Sequence, residues 1–215
     1  MSLDLLQPLF AEAFHLWGSA ITWLEIVASA LGVWMVVCNM RVNPLGWPLA
    51  MASSLLYALF FASGRLFGEA SLQLFFIVVA GWGWWQWLRG TGDGGAPLRV
   101  HRLDWRQRAL ALGLTALAWP LLGLLLKHYT QSDVPYLDAL ATAGSVTGTV
   151  LLGRKLIENW PVWVAVNVFS VALFASRGWW LTVLLYALFT VMALAGWRAW
   201  HRLGAESPAS SGAVA

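Results

Sequence analysis

Apolar residues arrive in this chain in blocks of about 17–22, each nearly free of charge, which is the length a helix needs to cross a hydrocarbon core. Seven blocks are legible, at 22–39, 45–63, 69–88, 108–126, 136–153, 160–176 and 179–198. A chain of 215 residues has no soluble core able to hide that many. Only 11% of the residues are charged and 60% are hydrophobic, whereas an ordinary soluble domain carries about 25% charge. In lipid, only helices and closed barrels satisfy their own backbone, and the period-2 alternation of barrel strands is missing. The predicted fold class is therefore an all-α integral membrane protein with seven transmembrane helices.

The segments outside the blocks are short. The N-terminus lacks a basic n-region, so no cleavable signal peptide is expected. Residues 3–17 read as a short interfacial helix interrupted by Pro8. Cys38 is the single cysteine and lies inside a block, which leaves no disulfide framework and no Cys/His metal cluster. His15, His101, His128 and His201 show no ligand spacing. The Gly-rich run 90–97 lacks a phosphate-binding signature and reads as a flexible loop. The tail 203–215 reads as disordered.

With seven spans, one side of the membrane collects Arg41, Arg89, Arg99, Arg102, Arg106, Arg108, Arg154, Lys155, Arg198 and Arg202. The other side holds Arg65, Lys127 and Arg177. Ten against three places the C-terminus in the cytoplasm and the N-terminus outside. The net charge of +3 then reports topology and not nucleic-acid binding. Arg154 and Lys155 are read as topology determinants.

The chain also repeats itself, without a gap, at an offset of 113 residues. Trp47-Pro48 falls on Trp160-Pro161, Gly83-Trp84 on Gly196-Trp197, and Trp87 on Trp200. Over positions 23–89 there are 20 identities in 67. The unit is three helices, and the extra block 108–126 separates the two copies. Corresponding helices then run the same way through the membrane, a parallel repeat of 3+1+3 plan, which transporters use with the substrate site at the repeat interface. The expected organisation is an N-terminal segment 1–21, a first repeat 22–88, a basic loop 89–107, a linker helix 108–126, a second repeat 135–202 and the tail.

Residues three and four apart share a helix face. One face of the sixth block runs Trp160, Trp163, Asn167, Ser170, Phe174, and its repeat mate runs Trp47, Ala50, Ser54, Tyr57, Phe61. The fifth block offers Asp138, Thr142, Ser145 and Thr149; the third offers Gln73, Trp84 and Trp87; the seventh offers Tyr186, Trp197 and Trp200. At about 1.5 Å per residue, Asn167 lies roughly 10 Å beyond Trp160, near mid-membrane. Polar groups at that depth face a bundle interior or a cavity. Asn167 has two readings, interhelical hydrogen bonding and ligand contact. Thr142, Ser145 and Thr149 also suit close helix packing. Trp87, Trp179, Trp180 and Trp200 fit an interfacial belt, and Asp138 and its mate Glu25 fit carboxylates at helix N-termini. Aromatic faces beside neutral hydrogen-bonding groups, with no buried cation, disfavour a strongly anionic ligand. They suit a flat heteroaromatic cation bearing hydroxyls.

The segments RKLIENWPVWVAVNVFSVALF (154–174) and SLQLFFIVVAGWGWWQW (71–87) resemble the PnuC-type nicotinamide riboside transporters, and the likeness runs from the first span to Trp200. The resemblance implies a 3+1+3, SWEET-like homotrimer in the bacterial cytoplasmic membrane. It implies facilitated diffusion of a B-type vitamin, trapped inside by a cytoplasmic kinase, with no cofactor and no enzymatic activity. By position it implies substrate contacts at Trp163, Asn167, Gln73 and Tyr186, to which the stripes add Thr142, Ser145 and Ser54. It implies a cytoplasmic-side closure by Trp84 and Trp87, joined here by Trp197, Trp200 and Asp138. The slim fifth span, with Gly144, Ser145, Thr147, Gly148 and Thr149, is expected to widen the cavity. Thiamine and riboflavin are alternative cargoes. An integral-membrane enzyme would need a nucleophile–base pair, carboxylate dyad or metal set, none of which is legible; a scaffold would tolerate loss of the polar stripe.

Overall fold

A computed structural model of the chain describes residues 7–16, 19–63, 67–92, 95–130, 132–178 and 180–206. A short helix α1 (Gln7–Phe10) precedes a hairpin of β1 (Glu12–Leu16) and β2 (Ser19–Thr22). Long helices follow: α2 (Trp23–Met40), α3 (Gly46–Ser63), α4 (Phe67–Arg89), α5 (Trp105–Tyr129), α6 (Pro135–Gly153), α7 (Asn159–Ser176) and α8 (Trp180–Glu206). The protein is helical, and several of its helices are apolar membrane spans. Among the described residues, α2, α5, α7 and α8 are long and apolar enough to cross a membrane by composition alone. Gly46–Ala62 is apolar but shorter. The small hydroxyls and glycines of α6 and the glutamines of α4 dilute their hydropathy.

Local chemistry sets the ends. Thr22 and Glu25 form a capping box at the start of α2, with the Thr22 amide donating to Glu25 Oε2 at 2.9 Å. Asp104 and Gln107 do the same for α5. Pro48 and Pro161 each sit third in their helix, within the first turn where a missing N–H costs nothing. The expected helix over 3–17 is corrected: beyond Phe10 the chain is an antiparallel hairpin, pairing Glu12 with Thr22 and Leu16 with Ser19. A lone helix this short is unstable, whereas the hairpin satisfies its backbone and delivers Thr22 as the cap of α2. Residues 1–6 lie outside the described set. The tail is corrected in part, since α8 continues through residues 203–206; 207–215 are not described.

Helix contacts obey the same offset as the sequence. α2 packs on α3 as α6 does on α7, and α3 on α4 as α7 on α8. The two sets meet through α4 against α6 and α2 against α8, which are repeat mates of each other. α5 packs on α6 and leaves Leu112, Leu117 and Leu121 exposed.

The core lies at the basic end of the bundle. It joins the repeat pairs Trp47/Trp160, Ala80/Ala193 and Trp87/Trp200, with Leu152 and Ile157. Gly83 and Gly196 admit the six-membered rings of Trp47 and Trp160; a Cβ on Gly196 would lie 2.5 Å from Trp160 Cη2. Overpacking a filled site costs about 1–3 kcal/mol. Gly83→Ala and Gly196→Ala should each lower the thermal midpoint in detergent. Gly113→Ala, where a Cβ meets nothing within 4 Å, should not. Equal midpoints for all three variants would refute the fit of the two glycines to the two indoles.

Candidate functional site: a tryptophan plug beneath an aromatic and polar stripe

Both α2 and α6 end in a Schellman closure. Asn43 N–H reaches Cys38 O at 2.8 Å and Leu156 N–H reaches Leu151 O at 3.0 Å. The left-handed residue in each is not glycine: Val42 has φ 52° and Lys155, its repeat mate, φ 54°. The closure turns the chain sharply into α3 and α7, and it leaves carbonyls at each helix end still able to accept a second bond. Those carbonyls are taken by the other repeat. Trp87 Nε1 donates to Leu152 O at 2.9 Å, and Trp200 Nε1 donates to Asn39 O at 3.1 Å. Residues 39 and 152 are themselves repeat mates, so the exchange is reciprocal.

Around these bonds four indoles cluster between the two repeats. Trp47 meets Trp87 edge-on at 5.6 Å, Trp160 meets Trp200 edge-on at 5.5 Å, and Trp87 and Trp200 lie 6.2 Å apart across the repeat boundary. Trp200 is fully buried and Trp87 is 8% exposed. The interfacial-belt reading of Trp87 and Trp200 is therefore corrected: their N–H groups point inward, to backbone acceptors. Of the other expected gate residues, Trp197 packs against this core, whereas Trp84 is exposed on the outer surface. Asp138 stands at the far end of α6, where its carboxylate accepts from the Ser132 hydroxyl. That serine oxygen in turn takes the Val134 amide at 3.1 Å. Asp138 thus holds the α5–α6 connection, away from the plug, while its mate Glu25 sits in the capping box.

From the plug the α7 stripe rises toward the opposite end. Trp163 is half-buried and its indole lies on Gly148 of α6, where a Cβ would come to 2.9 Å. Gly144 is filled in the same way by Val166. The slim face of α6 therefore admits α7 closely at these two positions and does not widen a cavity there. Thr147 is also occupied, sharing a hydroxyl bond of 2.7 Å with Thr115 of α5, and Thr149 back-bonds to Ser145 O. Asn167 is 5% exposed and Ser170 3%. Among the described residues, no hydrogen bond reaches the Asn167 carboxamide. The same is true of the side chains of Gln73, Ser54, Thr142 and Ser145, all half-buried. Higher still, Tyr186 stacks on Phe174 at 5.3 Å and meets Phe189 edge-on at 6.1 Å. Tyr57, from the first repeat, stacks on Phe61 at 6.2 Å.

The structure thus joins Trp163, Phe174 and Tyr186 to specific partners and leaves several neutral polar groups unbonded inside the bundle. Three residues not expected at the site from sequence also join the indole cluster. Trp47 and Trp160 supply half of the plug, and the repeat offset was their signal. Lys155 is tied into the plug's rim, a position that nothing in its span-end context indicated.

Residues 22–202 match the family described as nicotinamide mononucleotide transporter. The chain belongs to this family. It is 30% identical over 195 residues to the riboflavin/roseoflavin transporter RibM of Streptomyces davaonensis, covering 88% of this chain and 90% of that protein. It is 24% identical over 210 residues to the nicotinamide riboside transporter PnuC of Escherichia coli, covering 85% and 87%. The crystal structure of the vitamin B3 transporter PnuC superposes with a TM-score of 0.72 at 24% identity, covering 86% of this chain and 83% of that one. The fold is shared.

The reciprocal indole bonds carry a direct expectation. Trp87→Phe and Trp200→Phe keep a ring but remove the donor, and each should cost about 0.5–1.5 kcal/mol. Because the two sites are mates, the losses should be similar in size. Thermal unfolding of both variants tests this, and a wild-type midpoint in either would rule out its bond as a support of the fold.

Proposed function

We propose that this chain moves a ring-bearing B-type vitamin across the bacterial cytoplasmic membrane by facilitated diffusion, with nicotinamide riboside as first cargo. The observation that carries it is Asn167: a carboxamide deep in an apolar bundle, one turn from the Trp163 indole, with no protein partner among the described residues. Polar groups at such depth ordinarily face a bundle interior or a cavity, where a passing ligand or water can supply the bond. Gln73, Ser54 and Tyr186 extend the same neutral lining. With no cation among these groups, the phosphate of a mononucleotide is a poor fit, and a nucleoside or a neutral flavin is a better one. Riboflavin is the second reading, favoured by the higher identity to RibM.

In this reading seven helices span the membrane in a 3+1+3, SWEET-like parallel repeat, supported by helix contacts that recur at the offset of 113. The Trp47, Trp87, Trp160 and Trp200 plug closes the cytoplasmic end, supported by the basic residues gathered there. The chain assembles as a homotrimer and a cytoplasmic kinase traps the cargo, as the family resemblance implies.

Uptake of radiolabelled nicotinamide riboside, riboflavin and thiamine into liposomes containing the purified protein tests the function. The cargo should equilibrate across the membrane and go no further; accumulation driven by a sodium or proton gradient would contradict diffusion. Uptake of none of the three vitamins would sink the reading. Asn167→Leu should weaken cargo binding by about 1–3 kcal/mol through a lost hydrogen bond while leaving the thermal midpoint unchanged or raised. A lowered midpoint with intact affinity would make Asn167 a packing residue instead.

Orientation has its own test. A C-terminal reporter active only in the cytoplasm should work, and one active only outside should not. The reverse pattern would invert the topology.

A further inference from the structure

The connection from α4 to α5, expected from sequence only as a basic loop, is docked against the bundle over its second half. Residues 98–104 lie across the basic end of the bundle. His101 pairs in parallel with Leu156: its amide donates to Lys155 O at 3.2 Å, and Ile157 N–H donates to His101 O at 3.0 Å. Leu103 N–H reaches Glu158 Oε2 at 3.2 Å, and the Arg108 guanidinium binds Glu158 Oε1 at 2.7 Å. Arg102 meets His201 of α8 at 2.6 Å. Val100 packs on the tryptophan core. Residues 93–94 of the glycine run are not described.

Lys155 stands where this strap meets the plug. Its ammonium donates to Leu98 O at 3.0 Å and lies 5.2 Å from the centre of the Trp87 ring. Trp87 is the indole that crosses to Leu152. Burial pushes the Lys155 ammonium below the ordinary lysine range. The reading of Lys155 as a topology determinant alone is thereby corrected. The repeat explains why the residue must be specific. Its mate Val42 adopts the same left-handed turn, so the fold imposes that turn in both halves, but valine has no group to reach a strap or a ring. The contact is an addition of the second repeat alone, and it makes the two halves of the plug unequal.

We propose, on the footing that the chain passes a vitamin along its axis, that Lys155 is a positioning residue that latches the strap 98–104 to Trp87. Plug and strap then open as one unit. The strap covers the second repeat's side of the exit, and cargo leaves only when the Lys155 contacts release. The latch sets the rate of passage and leaves the affinity of the mid-bundle stripe untouched.

The test uses full-length protein in liposomes and two perturbations of opposite sign. Lys155→Met keeps the apolar stem and removes the ammonium. It should speed hydrogen exchange at the His101 and Ile157 amides and raise vitamin flux, with cargo affinity unchanged. Lys155→Arg, which can still bind a carbonyl and an indole face, should restore both. A purely structural lysine would shift the thermal midpoint and leave flux per folded protein alone, and that result would overturn the latch. In the other direction, Arg102→Cys with His201→Cys, in a Cys38→Ala background that retains flux, is bridged by a reducible bifunctional thiol reagent. Flux should stop on linking and return on reduction, which also shows that the linked protein was folded. Undiminished flux through fully linked protein would overturn the latch, and failure of the cysteines to link would overturn the docked strap beneath it. Absence of flux from every form, wild type included, would instead remove the transport reading and the latch with it.

Discussion

The structure depends on what happens to the carbonyls at the ends of α2 and α6. A helix end in apolar surroundings cannot leave acceptors unmade, since no bulk water is present to take them. Here the closing turn satisfies some of them, and the other repeat's tryptophan satisfies the next. Trp87 binds Leu152 O and Trp200 binds Asn39 O. Each bond needs an indole from one repeat and a helix terminus from the other. Neither repeat can finish its own basic end, which explains why the four indoles sit on the axis between them and why Gly83 and Gly196 must be small. The cluster made this way combines a few directed bonds and edge-on rings with the packed core around them.

The helices were legible because hydropathy acts over whole segments. Helix ends fell within a few residues of the apolar blocks at α2, α3, α4 and α6, and the duplication was visible because tryptophan, glycine and terminal arginine recur at one offset. Side-chain direction was the part that composition could not give. Trp87 and Trp200 lie near helix ends, where a tryptophan ordinarily anchors at the interface, and only the acceptor carbonyls of the other repeat distinguish the inward indole from the outward Trp84. The glycines of α6 showed that something comes close; whether it was cargo or a neighbouring helix depended on where Trp163 and Val166 of the next helix point. Lys155 was least legible, because a cation beside a span end has a sufficient explanation in topology and its partners, Leu98 and Trp87, lie nearly 60 residues or more away. Near the N-terminus, periodicity over so few residues could not separate an interrupted helix from a hairpin.

The neutrality of the stripe constrains specificity more than any single contact does. Moving a phosphate ester from water into a low-dielectric bundle costs several kcal/mol unless cations meet it, and the stripe from Trp163 to Tyr186 provides none. Among the described residues the basic side chains stand at helix ends and in the connections between helices, not along the stripe. A cargo that enters must therefore bring little net charge or a positive charge spread over a ring, for which indole and phenol faces are attractive surroundings. On the proposed path, that disfavours the phosphorylated form of a vitamin relative to the free form. On the proposed function, phosphorylation on the cytoplasmic side would convert the cargo into a form that this neutral lining disfavours, so selectivity against the charged product and net inward movement would share one cause, the absence of a buried cation along the stripe.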